Sequence, residues 1–204
     1  GAVMQHAVHI ENLVKKFGSV NAVDGLSFDV NRGEIFGILG PNGAGKTTTL
    51  EIIEGLQPPT EGSIQVLGRD MRTNASDIKA RIGVQLQSSA YYDYLDLTET
   101  LSLLGSFYPK CLPPDSLLEQ VGLLDRSKSR VRELSGGQKQ RFAVAASLVN
   151  EPELVILDEP TTHFDIPSRE AVEKVLLDYQ GSILLVSHDR HFVSLLAEAL
   201  WVVG

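Results

Sequence analysis

The sequence is poor in the residues that mark secreted, membrane-spanning or nucleic-acid-binding chains. Its 204 residues include a single cysteine, Cys111, so no disulfide can form within the chain and a reducing, cytoplasmic setting is expected. No apolar run reaches the ~18 residues of a membrane-spanning helix, and the stretch 195–203 is interrupted by Glu198. Lys and Arg total 18 against 26 Asp and Glu, and the net charge of −8 argues against a nucleic-acid or ribosome partner.

What the sequence does have is a globular composition and an alternating order of strands and helices. Hydrophobic residues make up 43% of the chain, as in ordinary soluble domains. Alternating apolar residues over 8–13 and 26–30 predict half-buried strands, and the denser runs 34–39, 154–157 and 183–186 predict buried ones. This order predicts an α/β fold with a largely parallel sheet.

The middle of the chain, residues 88–141, carries little strand signal and several helix starts. Asp96 or Thr98 can cap a helix that ends near residue 104, and Asp115 can cap a helix over 116–121. We therefore expect a single domain over residues 5–204, in which a helical subdomain at 88–141 is inserted between the core segments 5–87 and 142–204. A further helix over 168–179, with Ser168 as its cap and Gly181 at its end, is expected to connect the last parallel strands.

A phosphate-binding loop is the strongest local signal. The residues that follow the strand at 34–39 match the pattern G-x-x-x-x-G-K-[ST] and open a helix, in the order Gly40, Pro41, Asn42, Gly43, Ala44, Gly45, Lys46 and Thr47. Glycines let backbone N–H groups turn inward around phosphate oxygens, and the helix dipole adds to their attraction. A glycine-rich turn with a solvated lysine is the alternative. The motif and its context together predict a nucleoside-triphosphate site, with Lys46 at the phosphates and the Thr47 hydroxyl available to Mg²⁺.

Two carboxylates follow the buried run 154–157. An acid at the end of such a strand holds Mg²⁺ in phosphate-loop ATPases, which predicts that role for Asp158. Glu159 comes next and, on an extended chain, points the other way, so it can polarise an attacking water. Two solvated acids in a turn before Pro160 are the alternative.

A third motif, Leu134-Ser135-Gly136-Gly137-Gln138-Lys139-Gln140-Arg141, opens an amphipathic helix at about residue 138. On its own it could be an ordinary serine-capped helix. Together with the two motifs above it resembles the signature sequence of ABC-type ATPases, from about residue 8 to residue 203. The resemblance implies a P-loop NTPase fold, RecA-like and ABC-type, with an N-terminal antiparallel β portion and a helical subdomain insertion.

The resemblance also implies roles for single residues. Phe17 matches the aromatic residue that stacks on adenine, although it could instead be a packed strand-end aromatic. Gln87 matches the glutamine that contacts Mg²⁺ and the water, with Gln85 as the alternative, and Thr48 joins the nucleotide-binding set. His188 matches the histidine that contacts the γ-phosphate, and Asp165 the acid that acts across a dimer.

The family works as a head-to-tail pair. The resemblance therefore implies that Ser135, Gly136, Gly137, Gln138 and Asp165 act in trans on the nucleotide of a partner copy or of a paired ABC domain. It implies Mg²⁺-dependent hydrolysis of ATP by Glu159, His188, Gln87 and Lys46, with Thr47, Gln87 and Asp158 at the metal. The expected further partner is a membrane-spanning transporter subunit, which would place this cytoplasmic chain at the inner face of the membrane.

Two parts of the sequence resemble different branches of the family. Residues 83–89 are similar to the ATPase subunits of exporters, whereas residues 162–168 and 187–192 are similar to ABC-F proteins, the soluble translation-factor branch. A chimeric or designed chain is one hypothesis that follows. The alternatives to an exporter subunit are thus an ABC-F-like ribosome-associated ATPase and an engineered ABC domain that binds ATP with little turnover.

Overall fold

A computed structural model describes residues 6–41, 43–85, 91–160 and 165–202. Within these ranges, the strands and helices follow one another in the order β1 (His6–Phe17), β2 (Val20–Asn31), β3 (Ile35–Leu39), α1 (Lys46–Ile53), β4 (Glu61–Val66), β5 (Arg69–Asp70), α2 (Met71–Arg81), β6 (Ile82–Gln85), α3 (Leu97–Gly105), α4 (Pro114–Gln120), α5 (Gly136–Ser147), β7 (Leu154–Asp158), α6 (Ile166–Asp178), β8 (Ser182–Val186), α7 (Arg190–Leu196) and β9 (Ala199–Val202). Two short 3₁₀ turns, Leu124–Arg126 and Val131–Glu133, lie between α4 and α5.

Five parallel strands form the central sheet, in the order β6-β7-β8-β3-β9. Parallel strands end at the same edge, so Leu39 of β3, Asp158 of β7 and Val186 of β8 lie along one side of the sheet. The three segments that follow these strands carry the phosphate loop, the two carboxylates and His188. The topology therefore gathers the predicted site at the carboxyl edge, where α/β sheets commonly bind their ligands.

An antiparallel sheet, in the order β2-β1-β4-β5, covers the other side of α1. Side chains of β3 alternate between two cores. Ile35 and Leu39 pack with residues of α5 and α6, and Phe36 and Ile38 pack with α1 and the antiparallel sheet. The parallel sheet is thus the middle layer of the molecule, and the predicted fold class is confirmed.

Three local predictions are wrong. Asp115 does not cap α4, because the helix begins at Pro114, two residues before the predicted start. Proline is suited to the first helical position, and the N-cap Pro113 has no side-chain acceptor. Ser168 does not cap α6 either: Asp165 does, by accepting a hydrogen bond of 2.9 Å from the Ser168 N–H. Gly181 does not end α6, which ends at Asp178 with an extended Tyr179.

Candidate functional site

The phosphate loop joins β3 to α1 by a turn that only glycine tolerates at two positions. Gly43 and Gly45 have φ of 84° and 82°, in the left-handed region that side chains disfavour. Gly45 carries a second constraint, since a Cβ there would lie 2.3 Å from the carbonyl oxygen of Ala22. The loop is therefore held directly against β2, and its N–H groups lie at the start of a helix.

The Lys46 side chain lies inside this loop. It is only 7% exposed, and its Nζ donates hydrogen bonds to the carbonyl oxygen of Gly40 and, over 3.1 Å, to that of Pro41. Ala44 closes the turn by an N–H bond of 3.3 Å to the same Pro41 carbonyl. The neighbouring Thr47 is exposed. Lys46 is thus held at the loop by bonds that an anion in the same place could replace.

Asp158 and Glu159 lie where β7 ends. Asp158 is the last residue of the strand and is half-buried. Burial first, and then the Glu159 charge, raise the pKa of Asp158, while the Lys46 ammonium acts in the opposite direction. The expectation that Glu159 continues an extended chain is wrong, because its φ is 49°. A left-handed turn, not strand alternation, separates the environments of the two acids, and such a φ is uncommon in non-glycine residues.

Glu159 makes the densest set of polar contacts at this edge. It is 7% exposed, and its Oε2 accepts hydrogen bonds from the His188 N–H at 3.2 Å and from Ser187 Oγ at 3.3 Å, and lies 2.7 Å from His188 Nδ1. The Glu159 N–H donates to the carbonyl oxygen of Val186 over 2.8 Å, which prolongs the pairing of β7 with β8. These bonds hold the carboxylate in one orientation while the His188 side chain remains 69% exposed.

Ser187 extends this network toward α6, and sequence reasoning missed it. Its buried Oγ also accepts the N–H of Asp189 at 3.1 Å. Asp189 caps α7 and lies 3.4 Å from Arg169 Nη1, and Arg169 donates to His191 Nδ1 over 2.8 Å. A chain of polar contacts therefore runs from the Glu159 carboxylate to the first turn of α6.

Residues 135–138, called the signature turn here, form a second cluster with Asp165. Ser135 caps α5 and forms a capping box with Gln138. Gly137 lies against α6, since a Cβ there would be 2.4 Å from the buried Ser168 Oγ and 3.1 Å from Asp165 Oδ1. Two motifs that lie far apart in the sequence thus touch within one chain.

Phe17 ends β1 with its ring 47% exposed and with Lys15 Nζ 5.0 Å from the ring centroid. It is therefore not a packed strand-end aromatic. Asn42, Gln87, residues 161–164 and Val203, on all of which sequence predictions fall, lie outside the described residues.

A buried acid that the sequence did not single out lies at the end of α1. Glu54 is 6% exposed and follows the last residue of the helix. Burial, then the charge of Asp158, then that of Glu51 raise the pKa of Glu54 from 4.5 to about 7. Its distinguishing property is its environment, which no local motif reports.

Comparison with known proteins identifies the family in which this arrangement of site residues occurs. The family model described as "ABC transporter" matches residues 23–162, more than half of the chain. The chain belongs to the ABC transporter family. Within this ABC domain the matched segment contains the phosphate loop, the signature turn and both strand-end carboxylates.

The relatives of this ABC domain include proteins named for export and for import. It is 38% identical to the Nod factor export ATP-binding protein I of Ralstonia nicotianae, over 95% of this chain and 63% of that protein. It is 36% identical to the linearmycin resistance ATP-binding protein of Bacillus subtilis, over 90% of this chain and 60% of that protein. It is also 36% identical to the spermidine/putrescine import ATP-binding protein of Rubrobacter xylanophilus, over 90% of this chain and 51% of that protein. The chain thus spans between half and two thirds of each of these relatives.

A solved structure shares the fold closely. The dimeric structure of an ATP-binding cassette in a post-hydrolysis state, bound to ADP and Pi, matches with a TM-score of 0.85 at 26% identity, over 97% of this chain and 94% of that one. The relative from Ralstonia nicotianae and this solved structure match 95% and 97% of the chain, and they give no support to a separate ABC-F-like or chimeric C-terminal part. None of the described helices combines the length and the apolar character needed to cross a bilayer.

Proposed function

We propose that this chain is the nucleotide-binding domain of an ABC exporter and that it hydrolyses ATP as a head-to-tail dimer. The observation that carries the proposal is the buried Glu159 carboxylate, oriented by two hydrogen bonds from Ser187 and His188 and by a 2.7 Å contact with His188 Nδ1, at the edge where the phosphate loop also lies. A phosphate loop alone would support binding. A carboxylate fixed beside it supports hydrolysis, since it can accept a proton from an attacking water.

Binding of ATP is assigned to the loop 40–48 and to Phe17. The Lys46 ammonium exchanges the carbonyls of Gly40 and Pro41 for the β- and γ-phosphate oxygens, and the N–H groups from Gly43 to Thr48 surround the phosphates. The exposed ring of Phe17 stacks on adenine. Asn42 belongs to the same loop.

The donor set suits Mg²⁺. Mg²⁺ in phosphate-transferring sites is usually bound by one or two carboxylates together with substrate phosphates and water, and Asp158 supplies a carboxylate beside the phosphate loop. Thr47 Oγ1, Asp158 and Gln87 would hold it, and when bound it neutralises charge on the phosphate oxygens.

Glu159 acts as the base in the proposed reaction. Water attacks the γ-phosphorus in line, the bond from this phosphorus to the ADP oxygen breaks, and the water proton passes to Glu159. His188 Nδ1 lies 2.7 Å from Glu159 Oε2, and the exposed ring of His188 is available to contact the γ-phosphate, as the family resemblance implies. Gln87 contacts the metal and the water, as the family resemblance implies.

The second half of each site is proposed to come from a partner. Ser135, Gly136, Gly137 and Gln138 present the N-terminus of α5, which attracts anions, and Asp165 lies beside them. In a head-to-tail pair this cluster faces the nucleotide of the other subunit. The dimeric relative bound to ADP and Pi supports this arrangement, with either a second copy or another ABC domain as partner.

A membrane-spanning subunit is the proposed partner on another face. A groove of about 480 Å³ runs between α1, β6, the helical region and α5, and Phe107 at its rim is 70% exposed. Such an apolar, polar-rimmed surface is typical of a docking site. Export is favoured because the match to the Nod factor exporter is longer and more identical than the match to the importer. We place the chain in the cytoplasm at the inner membrane face, as one domain over 5–204 with the helical subdomain at 88–141.

Mg²⁺-dependent ATP hydrolysis, measured against protein concentration, tests this function. Specific activity should rise with concentration as the composite sites form. Glu159→Gln should keep ATP affinity and lose turnover by ~10²–10⁴-fold, whereas Glu170→Gln, at an exposed position on α6, should change neither. Unchanged turnover in Glu159→Gln contradicts the assigned base. ATP binding without any turnover in the unsubstituted chain contradicts hydrolysis by this chain alone.

A further inference from the structure

Glu54 lines the groove that lies between the nucleotide-binding core and the helical region. The walls of this groove are mostly apolar and are formed by Leu56, Ile82, Val84, Tyr91, Leu104, Phe107, Tyr108, Ala143, Ala146 and Val149. Among the described residues of the groove, Glu54 is the one carboxylic acid and Lys79 the one amine. An acid in such a place is unusual, because buried carboxylates are normally paired.

Three features of the fold oppose a negative charge at this position. Glu54 is 94% removed from solvent, being only 6% exposed. It lies at the C-terminus of α1, where the helix dipole disfavours anions. Glu51 and Asp158 add two further negative charges, and the pKa of Glu54 is raised accordingly to about 7.

Nothing in the described part of the chain compensates the charge. No hydrogen bond or ion pair of the Glu54 carboxylate is found there, and Lys79 of the same groove forms no ion pair with it. The acid therefore costs stability in the isolated domain. Protonation of the carboxyl removes this cost at low pH, and where the carboxyl is ionised a cation that enters the groove from outside the chain would offset it.

The groove also constrains the backbone of what enters it. β6 is an edge strand of the parallel sheet, but Asn150 Nδ2 already donates to the Ile82 carbonyl over 2.9 Å and to that of Ala80 over 3.1 Å. An added strand would find this position of the edge occupied. A helix, which satisfies its own backbone groups, meets the geometry better.

We propose that Glu54 is the acceptor for one Lys or Arg on an otherwise apolar helix of the membrane-spanning partner, and that it selects partners which carry this cation. The inference rests on the proposed docking of that partner in the groove. Apolar side chains of the helix would contact Leu56, Phe107 and Tyr108, and the cation would reach Glu54 at the end of α1. A partner helix with a neutral or acidic residue there would leave the Glu54 carboxylate buried and unpaired, which weakens binding. Glu54 would thus select partners both by attracting a basic residue and by disfavouring helices without one.

The test uses a phage-displayed library of 15-residue amphipathic helices, selected against the full chain at pH 7.5. We expect helices with aliphatic side chains and a Lys or Arg at one fixed position. Selection against Glu54→Gln should keep the aliphatic preference and lose the basic one. For a chosen helix, replacing the basic residue by Gln should weaken binding to the original chain by at least ~30-fold and leave binding to Glu54→Gln nearly unchanged.

Two control variants separate the possible failures. Glu170→Gln removes one exposed acid and corrects for attraction of basic helices to a chain of net charge −8. Phe107→Ser removes the exposed aromatic of the groove and should weaken every true groove binder.

Helices that depend on Phe107 but show no basic preference overturn the role of Glu54 and leave the docking groove standing. If no helix depends on Phe107, both the inference and the docking face of the proposed function are wrong. Self-association without nucleotide, abolished by Phe107→Ser, would assign the groove to a second copy of the chain and overturn the inference.

Discussion

Replacing Glu54 by Gln should stabilise this domain, and the gain should depend on pH. In the unfolded chain the carboxyl ionises near its ordinary pKa of 4.5, but in the folded chain only near 7. Between these values the folded state binds more protons than the unfolded state, so the free energy of unfolding falls as the pH rises through this window. Each pH unit corresponds to ~1.4 kcal/mol, which gives a full cost of ~3 kcal/mol above pH 8.

Urea denaturation of the original chain and of Glu54→Gln at pH 5 and pH 8.5 measures this cost. Gln removes the charge while nearly preserving shape, so any packing change adds a constant at both pH values. The difference between the two proteins should grow by ~2.5 kcal/mol from pH 5 to pH 8.5. Glu170→Gln should give no such growth, since that side chain is exposed. A difference that stays constant with pH would show that Glu54 ionises normally, and would refute the argument from burial and neighbouring charge.

Three further substitutions follow from the site geometry. Gly45→Ala should destabilise the chain by more than Gly43→Ala in thermal melts. Both substitutions add the ~1 kcal/mol cost of a left-handed residue with a side chain, but only the Cβ at position 45 would also clash with backbone. Equal effects would contradict the close packing of the loop on β2. Ser187→Ala should lower kcat by up to tenfold with little change in KM, because it removes a hydrogen bond of ~1 kcal/mol that orients the catalytic carboxylate. An equal rise in KM would instead assign Ser187 to substrate binding. Gly137→Ala should lower the free energy of unfolding by ~1–3 kcal/mol through overpacking. Adding Ser168→Gly to the same chain should recover most of this stability, since the added Cβ clashes with the Ser168 side chain. If stability is not recovered, the strain lies elsewhere.

The parts of the fold that the sequence predicted are those with local signals. The phosphate loop needs glycines at fixed spacing, and a buried strand such as β7 needs only a run of apolar residues, so both could be located. α2 was not predicted because only Met71 and Ile78 of its residues are buried, too few to give a helical period. α7 was also not predicted, although it is seven residues long, as α4 is, and has an aspartate, Asp189, that caps it.

The parts of the site that escaped prediction depend on contacts between distant residues. Burial and the proximity of Asp158 raise the pKa of Glu54, and Asp158 lies in β7, far from α1 in the sequence. Ser187 matters because β7 and β8 end side by side, which brings its hydroxyl to Glu159. The left-handed turn at Glu159 could not be predicted from the sequence either, since glutamate seldom adopts a positive φ.

α5 touches two different places, and this bears on how two composite sites could communicate. Its first turn carries Gly136 and Gly137, which face the partner's nucleotide in the proposed dimer. One turn further on, Gln140 Nε2 lies 3.4 Å from the carbonyl oxygen of Glu159 in its own subunit. Four residues of helix span only ~6 Å. If the partner's ATP rotated α5, the rotation would therefore also move the backbone of Glu159 in the subunit to which α5 belongs. Each active site would then respond, through one rigid helix, to whether the neighbouring site contains ATP.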